Sequence, residues 1–292
     1  MRFDYAQYTY LAPHLGNRRT RSSTIRLQAD DDLFAAVICE GLGGPDQGET
    51  VARFAAERIR ADIRAGLAAN PSAGSASGLA ANPSAGSASG LASSLTANPS
   101  ANPSAGQSAD LRATPQASLA PALLHAHQAL CERQLVEPAM RTARSTAATF
   151  ALDPTSGALS WATIGDSRVY LFQNGATGLL SPDDSAGYAA YLRGETDYEG
   201  IRLLDSREVL TASLGEPSEP VAHEGVARFA PGDALLVCSN GFWEYVFDLE
   251  AWIDLQKSDS AEEWLRLMLL RLVERSCLAG NAFCAVVCRA LE

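Results

Sequence analysis

The segment Cys39-Glu-Gly-Leu-Gly-Gly-Pro-Asp-Gln-Gly-Glu49 closes an apolar run, Leu33 to Cys39, with an acidic residue, Glu40, and a glycine-rich turn. A carboxylate at the end of a buried strand, beside backbone free of side chains, presents oxygen ligands to a hard cation or leaves room for a phosphate. A tight turn that needs positive φ is the alternative reading of any one of these glycines. Downstream, Val51, Phe54, Ala55, Ile59 and Ile63 recur at steps of three and four, which predicts a helix with one apolar stripe.

Beyond that helix the composition changes. The unit GLAANPSAGSAS occurs twice in succession over residues 66–89, and ANPS returns at Ala97 and Ala101. From Gly66 to Leu119 only Asp110 and Arg112 are charged and no aromatic residue occurs. Such a stretch buries little apolar surface against the entropy of ordering its backbone, so residues 66–119 are expected to be a disordered insertion. A second helical stripe follows, through Leu123, Leu124, Leu130, Cys131 and Leu135, so the insertion separates two helices expected to lie antiparallel. Without it about 238 residues remain, which suits one domain spanning residues 1–292.

Strand signals occupy most of the remainder: Ser145 to Leu152, Leu159 to Ile164, Arg168 to Phe172, Val226 to Phe229, Ala234 to Cys238, and Phe283 to Arg289. Turns at Asp153, Gln173 and Pro231 separate them. Ser260-Ala-Glu-Glu263 predicts a capped helix start, followed by Trp264, Leu265, Met268, Leu272 and Val273 on one stripe. The expected architecture is α+β, two packed sheets with helices outside.

The 292 residues carry 23 Lys+Arg and 34 Asp+Glu, a net charge of −11 that disfavours nucleic acid as a partner. No apolar run reaches the roughly 20 residues of a membrane span, and the amino terminus lacks the charge and apolar block of a secretory signal. A cytoplasmic location is expected. The six cysteines form no CxxC pair, so reduced thiols are expected.

Three more segments stand at strand ends: Gly165-Asp-Ser-Arg168; Gly232-Asp-Ala-Leu-Leu-Val-Cys-Ser-Asn-Gly241; and Ala279-Gly-Asn-Ala-Phe-Cys-Ala-Val-Val287. In this order, and with the segment at Cys39, they resemble the protein phosphatase 2C family, the metal-dependent serine/threonine phosphatases. Leu180-Ser-Pro-Asp-Asp-Ser185 is similar to that family's "LTxDHS", and Leu210-Thr-Ala-Ser-Leu-Gly215 to its "LTRxLG". The resemblance covers most of the chain outside the insertion. It implies a β-sandwich of two antiparallel sheets flanked by helices, in α-β-β-α layers, with two Mg²⁺ or Mn²⁺ ions in a cleft at one end. In such a centre the ions stabilise attacking and leaving oxygens.

The departures from the family pattern concern its metal ligands. Glu40 stands for the bridging aspartate of "DGxGG"; Ser22 and Ser23 fall where "NED" is expected; Asn240 replaces the aspartate of "SDG". Gly280 aligns with the aspartate of "DNxT", followed by Asn281, and Phe283 takes the threonine position. Of four acidic positions one, Glu40, stays acidic, with a longer side chain. Asn240 and the Gly41 carbonyl can offer neutral oxygens, Asp166 matches a third and weaker metal position, and Arg18 lies where the family has its phosphate-binding arginine. Affinity for a hard dication follows ligand charge and count. The expectation is therefore Mn or Mg bound weakly, with none held tightly.

Plainer readings accompany several of these residues. Asp166 and Arg168 are expected either to pair at the hairpin or to serve a ligand; Cys39, Cys238 and Cys284 read as core thiols, and Trp243 and Tyr245 as core aromatics. His125 and His127 fall on different faces of their helix, and His14 and His223 look isolated. The stretch Gly187 to Ile201 occupies the place of the family's mobile flap. The functional expectation is a pseudophosphatase, a binding module in serine/threonine phosphorylation signalling. Its partner is expected to be a protein: a phosphoprotein, a kinase or a phosphatase of the same pathway. The alternatives are a divergent active phosphatase using Glu40, Asn240, Asp166 and acids such as Asp46, and a structural subunit.

Overall fold

The computed structural model describes residues 1–10, 22–29, 32–43, 45–69, 118–173, 175–276 and 282–291. Three strands come first, β1 (Phe3–Tyr10), β2 (Ser22–Ala29) and β3 (Phe34–Leu42), followed by helices α1 (Pro45–Ala69) and α2 (Ala120–Val136). The chain continues through β4 (Arg144–Leu152), β5 (Ala158–Ile164), β6 (Arg168–Gln173), β7 (Ala176–Leu179), α3 (Ala186–Leu192), β8 (His223–Arg228) and β9 (Ala234–Cys238). It ends with α4 (Asn240–Trp243), α5 (Asp248–Lys257), α6 (Ala261–Arg275) and β10 (Phe283–Ala290).

The strands form two antiparallel sheets of five, ordered β1-β10-β9-β6-β7 and β2-β3-β4-β5-β8. Side chains alternate across a strand, and β3 shows how this builds layers. Phe34, Ala36 and Ile38 enter the core between the sheets with Phe150, Val237 and Val286. Ala35, Val37 and Cys39 face the opposite way, against Val51, Ala55 and Ile59 of α1 and Leu123 and Leu130 of α2. A third core lies between the first sheet and α5 and α6, around Trp243, Trp264, Leu265 and Met268. The layers are α-β-β-α, as expected.

Strands buried on both faces read as unbroken apolar runs, and those are the strands visible in the sequence. The sequence pattern does not announce β1, β2 and β7, each of which lies at a sheet edge. β8, also at an edge, begins at His223 rather than Val226. The apolar stripe of α2 is also corrected: Ala122, Leu123, Ala126, His127 and Leu130 are buried, whereas Leu135 at its end is 86% exposed. On α6, Val273 faces outward while Trp264, Leu265, Met268 and Leu272 are buried. Ser260 caps that helix by accepting the Glu263 N–H at 3.1 Å, and the Glu263 carboxylate reaches back to the Asp259 N–H at 3.1 Å.

α1 continues to Ala69, so the first residues of the expected insertion, 66–69, are helical; residues 70–117, which hold most of it, lie outside the described residues. The described residues resume at Ser118. The Glu224 carboxylate of β8 accepts the Ser118 hydroxyl at 2.6 Å and the Ala120 N–H at 3.1 Å. That contact satisfies a donor at the start of α2 with a negative charge, where the helix dipole favours one.

Candidate functional site

Glu40 is the next residue of the β3 alternation after Ile38, so it points into the end of the inter-sheet space, and it is fully buried. Its cross-strand neighbours are Ser23 on β2 and Thr146 on β4. The Ser23 hydroxyl donates to Glu40 Oε1 at 3.5 Å, and the Ser145 hydroxyl lies 3.1 Å from the Glu40 carbonyl. Ser22 pairs with Gly41 and is buried. A side chain at Gly41 is impossible for a steric reason: its Cβ would stand 1.8 Å from the Gly48 carbonyl oxygen, so α1 can start against the strand only if this residue is glycine. Close approach of backbone, rather than a positive φ, is what this glycine serves.

β10 and β9 complete the cluster. Ser239 donates its N–H to the Cys284 carbonyl at 3.0 Å, and its hydroxyl accepts the Cys284 N–H at 3.1 Å. The Cys284 thiol is pushed well up, first by burial and then by the Glu40 charge, against opposing hydrogen bonds from Ser239 and Ser23. A thiol read as simple core therefore borders the one buried carboxylate of β3. Cys39 and Cys238 are buried core thiols as expected. Asn240 follows at the first turn of α4, 4% exposed.

Asp166 occupies the turn between β5 and β6 and is fully buried, with its carbonyl accepting the Trp243 indole N–H at 2.8 Å. Gly165 before it takes φ 101°, and a Cβ there would lie 2.6 Å from the Thr146 methyl, so the turn closes on β4 only with glycine. The expected Asp166–Arg168 pairing is not what the fold builds. Arg168 turns to Asp183, with Nε 2.9 Å and Nη2 2.6 Å from the two carboxylate oxygens, and both side chains are fully buried. Arg168 also donates to the Tyr170 and Tyr198 hydroxyls at 3.0 and 3.2 Å and stacks 3.5 Å from the Trp243 ring. A guanidinium buried this deeply needs a bidentate carboxylate and further acceptors, and Asp183 with the two tyrosine hydroxyls supplies them.

His223 is likewise not isolated. Its Nε2 lies 2.7 Å from Asp184 Oδ1, whose other oxygen accepts the Gly165 N–H at 2.9 Å. This hydrogen bond raises the histidine above its usual 6.5, burial working against it. The flap region is fastened too. Arg202 donates to the Trp243 carbonyl at 3.0 Å and to Asp248 at 2.8 Å, and Tyr188 and Ile201 are buried in the outer core of the first sheet. His125 and His127 do not meet: His127 accepts the Gly215 N–H at 3.2 Å, while His125 faces Asp62 at 3.6 Å.

The donor chemistry at the β3 end can be set against a pair of dications. Glu40 is one carboxylate and the buried Asp166 of the β5–β6 turn another; Ser22, Ser23 and Asn240 supply only neutral oxygens. Among the described residues, no three His, Cys, Asp or Glu side chains gather to hold a metal ion. Arg18, Gly280 and Asn281 lie outside the described residues, and the stretches 11–21 and 277–281 that contain them have no Asp or Glu in their sequence. Asp46 belongs to α1, but its side chain is outside what the structure describes. Two hard cations call for several carboxylates to offset their mutual repulsion, and of the described residues at the β3 end Glu40 supplies one.

No protein-family model matches the chain. A serine/threonine phosphatase stp of Listeria innocua is 32% identical over 89 residues, covering 30% of this chain and 35% of that protein, so the chain matches about a third of its curated relative's length. Among solved structures, the PPM Ser-Thr phosphatase MsPP from Mycobacterium smegmatis in complex with cacodylate superposes with a TM-score of 0.64 at 20% identity, over 99% of this chain and 98% of that one. The catalytic domain of serine threonine protein phosphatase PstP in complex with 2 manganese ions does so with a TM-score of 0.63 at 20% identity, over 99% of each chain. Two five-stranded antiparallel sheets between helical layers are the architecture held in common.

Proposed function

We propose that this chain, which has the fold of the PPM-type serine/threonine phosphatases, is a pseudophosphatase: a binding module in serine/threonine phosphorylation signalling without a working two-metal centre. One observation carries the reading. Glu40 is buried at the β3 end with Ser23 across from it on β2, and the neighbouring positions Ser22 and Asn240 are neutral. One carboxylate among hydroxyls and an amide, with Asp166 at the adjacent turn, offers a pair of hard dications little of the charge they need in exchange for their water shells. No helix of the described residues is long and apolar enough to cross a membrane. Its partner is another protein, a phosphoprotein or an enzyme that adds or removes phosphate. Arg18 and its neighbours Arg19 and Arg21 supply charge for a phosphate through charge-assisted hydrogen bonds.

The test is a calorimetric titration of the metal-stripped protein with Mn²⁺, joined to a Mn²⁺-dependent phosphoester hydrolysis assay. The expected result is no saturable heat up to millimolar Mn²⁺ and no hydrolysis. Micromolar binding with turnover that Glu40→Ala abolishes would overturn the reading in favour of a divergent phosphatase.

A further inference from the structure

β8 closes one edge of the second sheet, and among the described residues its only strand neighbour is β5. Its register with β5 runs unbroken from His223 opposite Thr163 to Arg228 opposite Ala158, without a bulge or a proline. The direction of its backbone groups follows from two contacts. Phe229 donates its N–H to Gly157 on the β5 side at 2.8 Å, whereas the Arg228 carbonyl is turned outward, accepting from Gln173 at 2.7 Å. Backbone groups alternate along an antiparallel strand. His223, Gly225 and Ala227 therefore bond to β5, and Glu224, Val226 and Arg228 present their N–H and C=O groups away from it.

The same three residues share one face. β8 reads half-buried and exposed in strict alternation, with Glu224, Val226 and Arg228 exposed and Val226 at 62%. Natural sheets protect such an edge by shortening, bulging or covering it, because its backbone groups are a template for another strand. Of the other edges, β7 has four residues, and β1 and β2, at the facing edges of the two sheets, contact one another.

We infer that β8 pairs with β8 of a second copy of this chain, antiparallel about a two-fold axis at Val226, joining the two second sheets into one. The register is chosen by charge. Self-pairing that sets outward-facing residues opposite one another can be centred on any residue from 224 to 228. Centring on Glu224 or Arg228 opposes like charges; centring on residue 225 sets Glu224 against Val226 and Arg228 against Ala222, and centring on residue 227 sets Arg228 against Val226 and Glu224 against Ala230, so neither pairs the charges. Only the centre at Val226 places Glu224 opposite Arg228 of the other copy, twice, with the two valines between them. Opposite charges and β-branched side chains directly across from each other are the pairs that stabilise a sheet. The Glu224 carboxylate is already held in place, because its Oε2 caps α2.

The experiment is sedimentation equilibrium of the full chain at about 100 µM, where a complex of micromolar Kd is formed. The expected mass is twice the 30.9 kDa of the chain. Arg228→Glu, which opposes Glu224 with a second carboxylate, is expected to raise Kd by at least about tenfold. Val226→Pro removes one outward N–H without touching the β5 ladder and is expected to act the same way, with thermal melting confirming that both variants fold. A monomeric wild type would overturn the inference, including one whose Val226 amide is protected from exchange by the residues preceding Ser118. So would a dimer that neither substitution weakens.

Discussion

Asp183→Asn is the most informative single substitution in this fold. It keeps the size of the side chain and one acceptor but removes the charge that faces Arg168, a guanidinium with no solvent exposure. Breaking a buried ion pair from one side costs about 3–5 kcal/mol, because the remaining charge is stranded in a poor solvent. Arg168 keeps its contacts with the Tyr170 and Tyr198 hydroxyls and the Trp243 face, so the lower part of that range, about 3 kcal/mol, is expected. For a chain of this size that is about 6–12 °C of melting temperature. Urea unfolding followed by tryptophan fluorescence is the suitable assay, since Trp243 stacks on Arg168, and the midpoint should fall with the m-value unchanged. Arg168→Met combined with Asp183→Leu tests the cause: if the stranded charge is responsible, the double variant is more stable than Asp183→Asn alone. A loss below about 1 kcal/mol from Asp183→Asn would refute the argument, because it would mean that Arg168 has solvent access and that the flap is not fastened there.

Two further outcomes follow from buried or partly buried titratable groups. Asp184 raises His223 above 6.5 in the folded state, so the pair's contribution is complete below pH 6.5 and is lost as pH rises through the higher folded value. The difference in melting temperature between wild type and His223→Gln should therefore be largest in mildly acidic buffer and shrink towards alkaline pH; a difference independent of pH would contradict the pairing. Burial pushes Cys39 up to about 12 and raises Cys238, Cys284 and Cys288 as well, so these four thiols should resist a disulfide reagent until the protein is unfolded. Of the five cysteines among the described residues only the half-buried Cys131 is expected to react in the native state, as located by peptide mass spectrometry.

The central strands could be read from sequence because β3, β4, β9 and β10 are covered on both faces, and that condition writes itself as a nearly continuous apolar run. The glycines of the strand-end turns were legible for a related reason: Gly41 meets the Gly48 carbonyl and Gly165 meets Thr146, and no other residue tolerates either approach. The edge strands β1, β2 and β7 were not legible, since half-covered strands mix polar and apolar residues much as loops do. The chemical content of the β3 end also belonged to the sequence, because a carboxylate at Glu40 and an amide at Asn240 have the same charge in any fold.

Partnership, by contrast, was decided by the tertiary structure. Arg168 bonds Asp183, fifteen residues away, rather than Asp166, and His223 bonds Asp184, thirty-nine residues away. Neither pairing leaves a local signal, since it is the return of the chain over the sheet that sets the distance. The fully covered strands and the charge at each site position are local properties of composition and period, and the amino-acid order alone carries them. Which charges face each other depends on where separate strands and loops come to lie, and only the packed sandwich decides that.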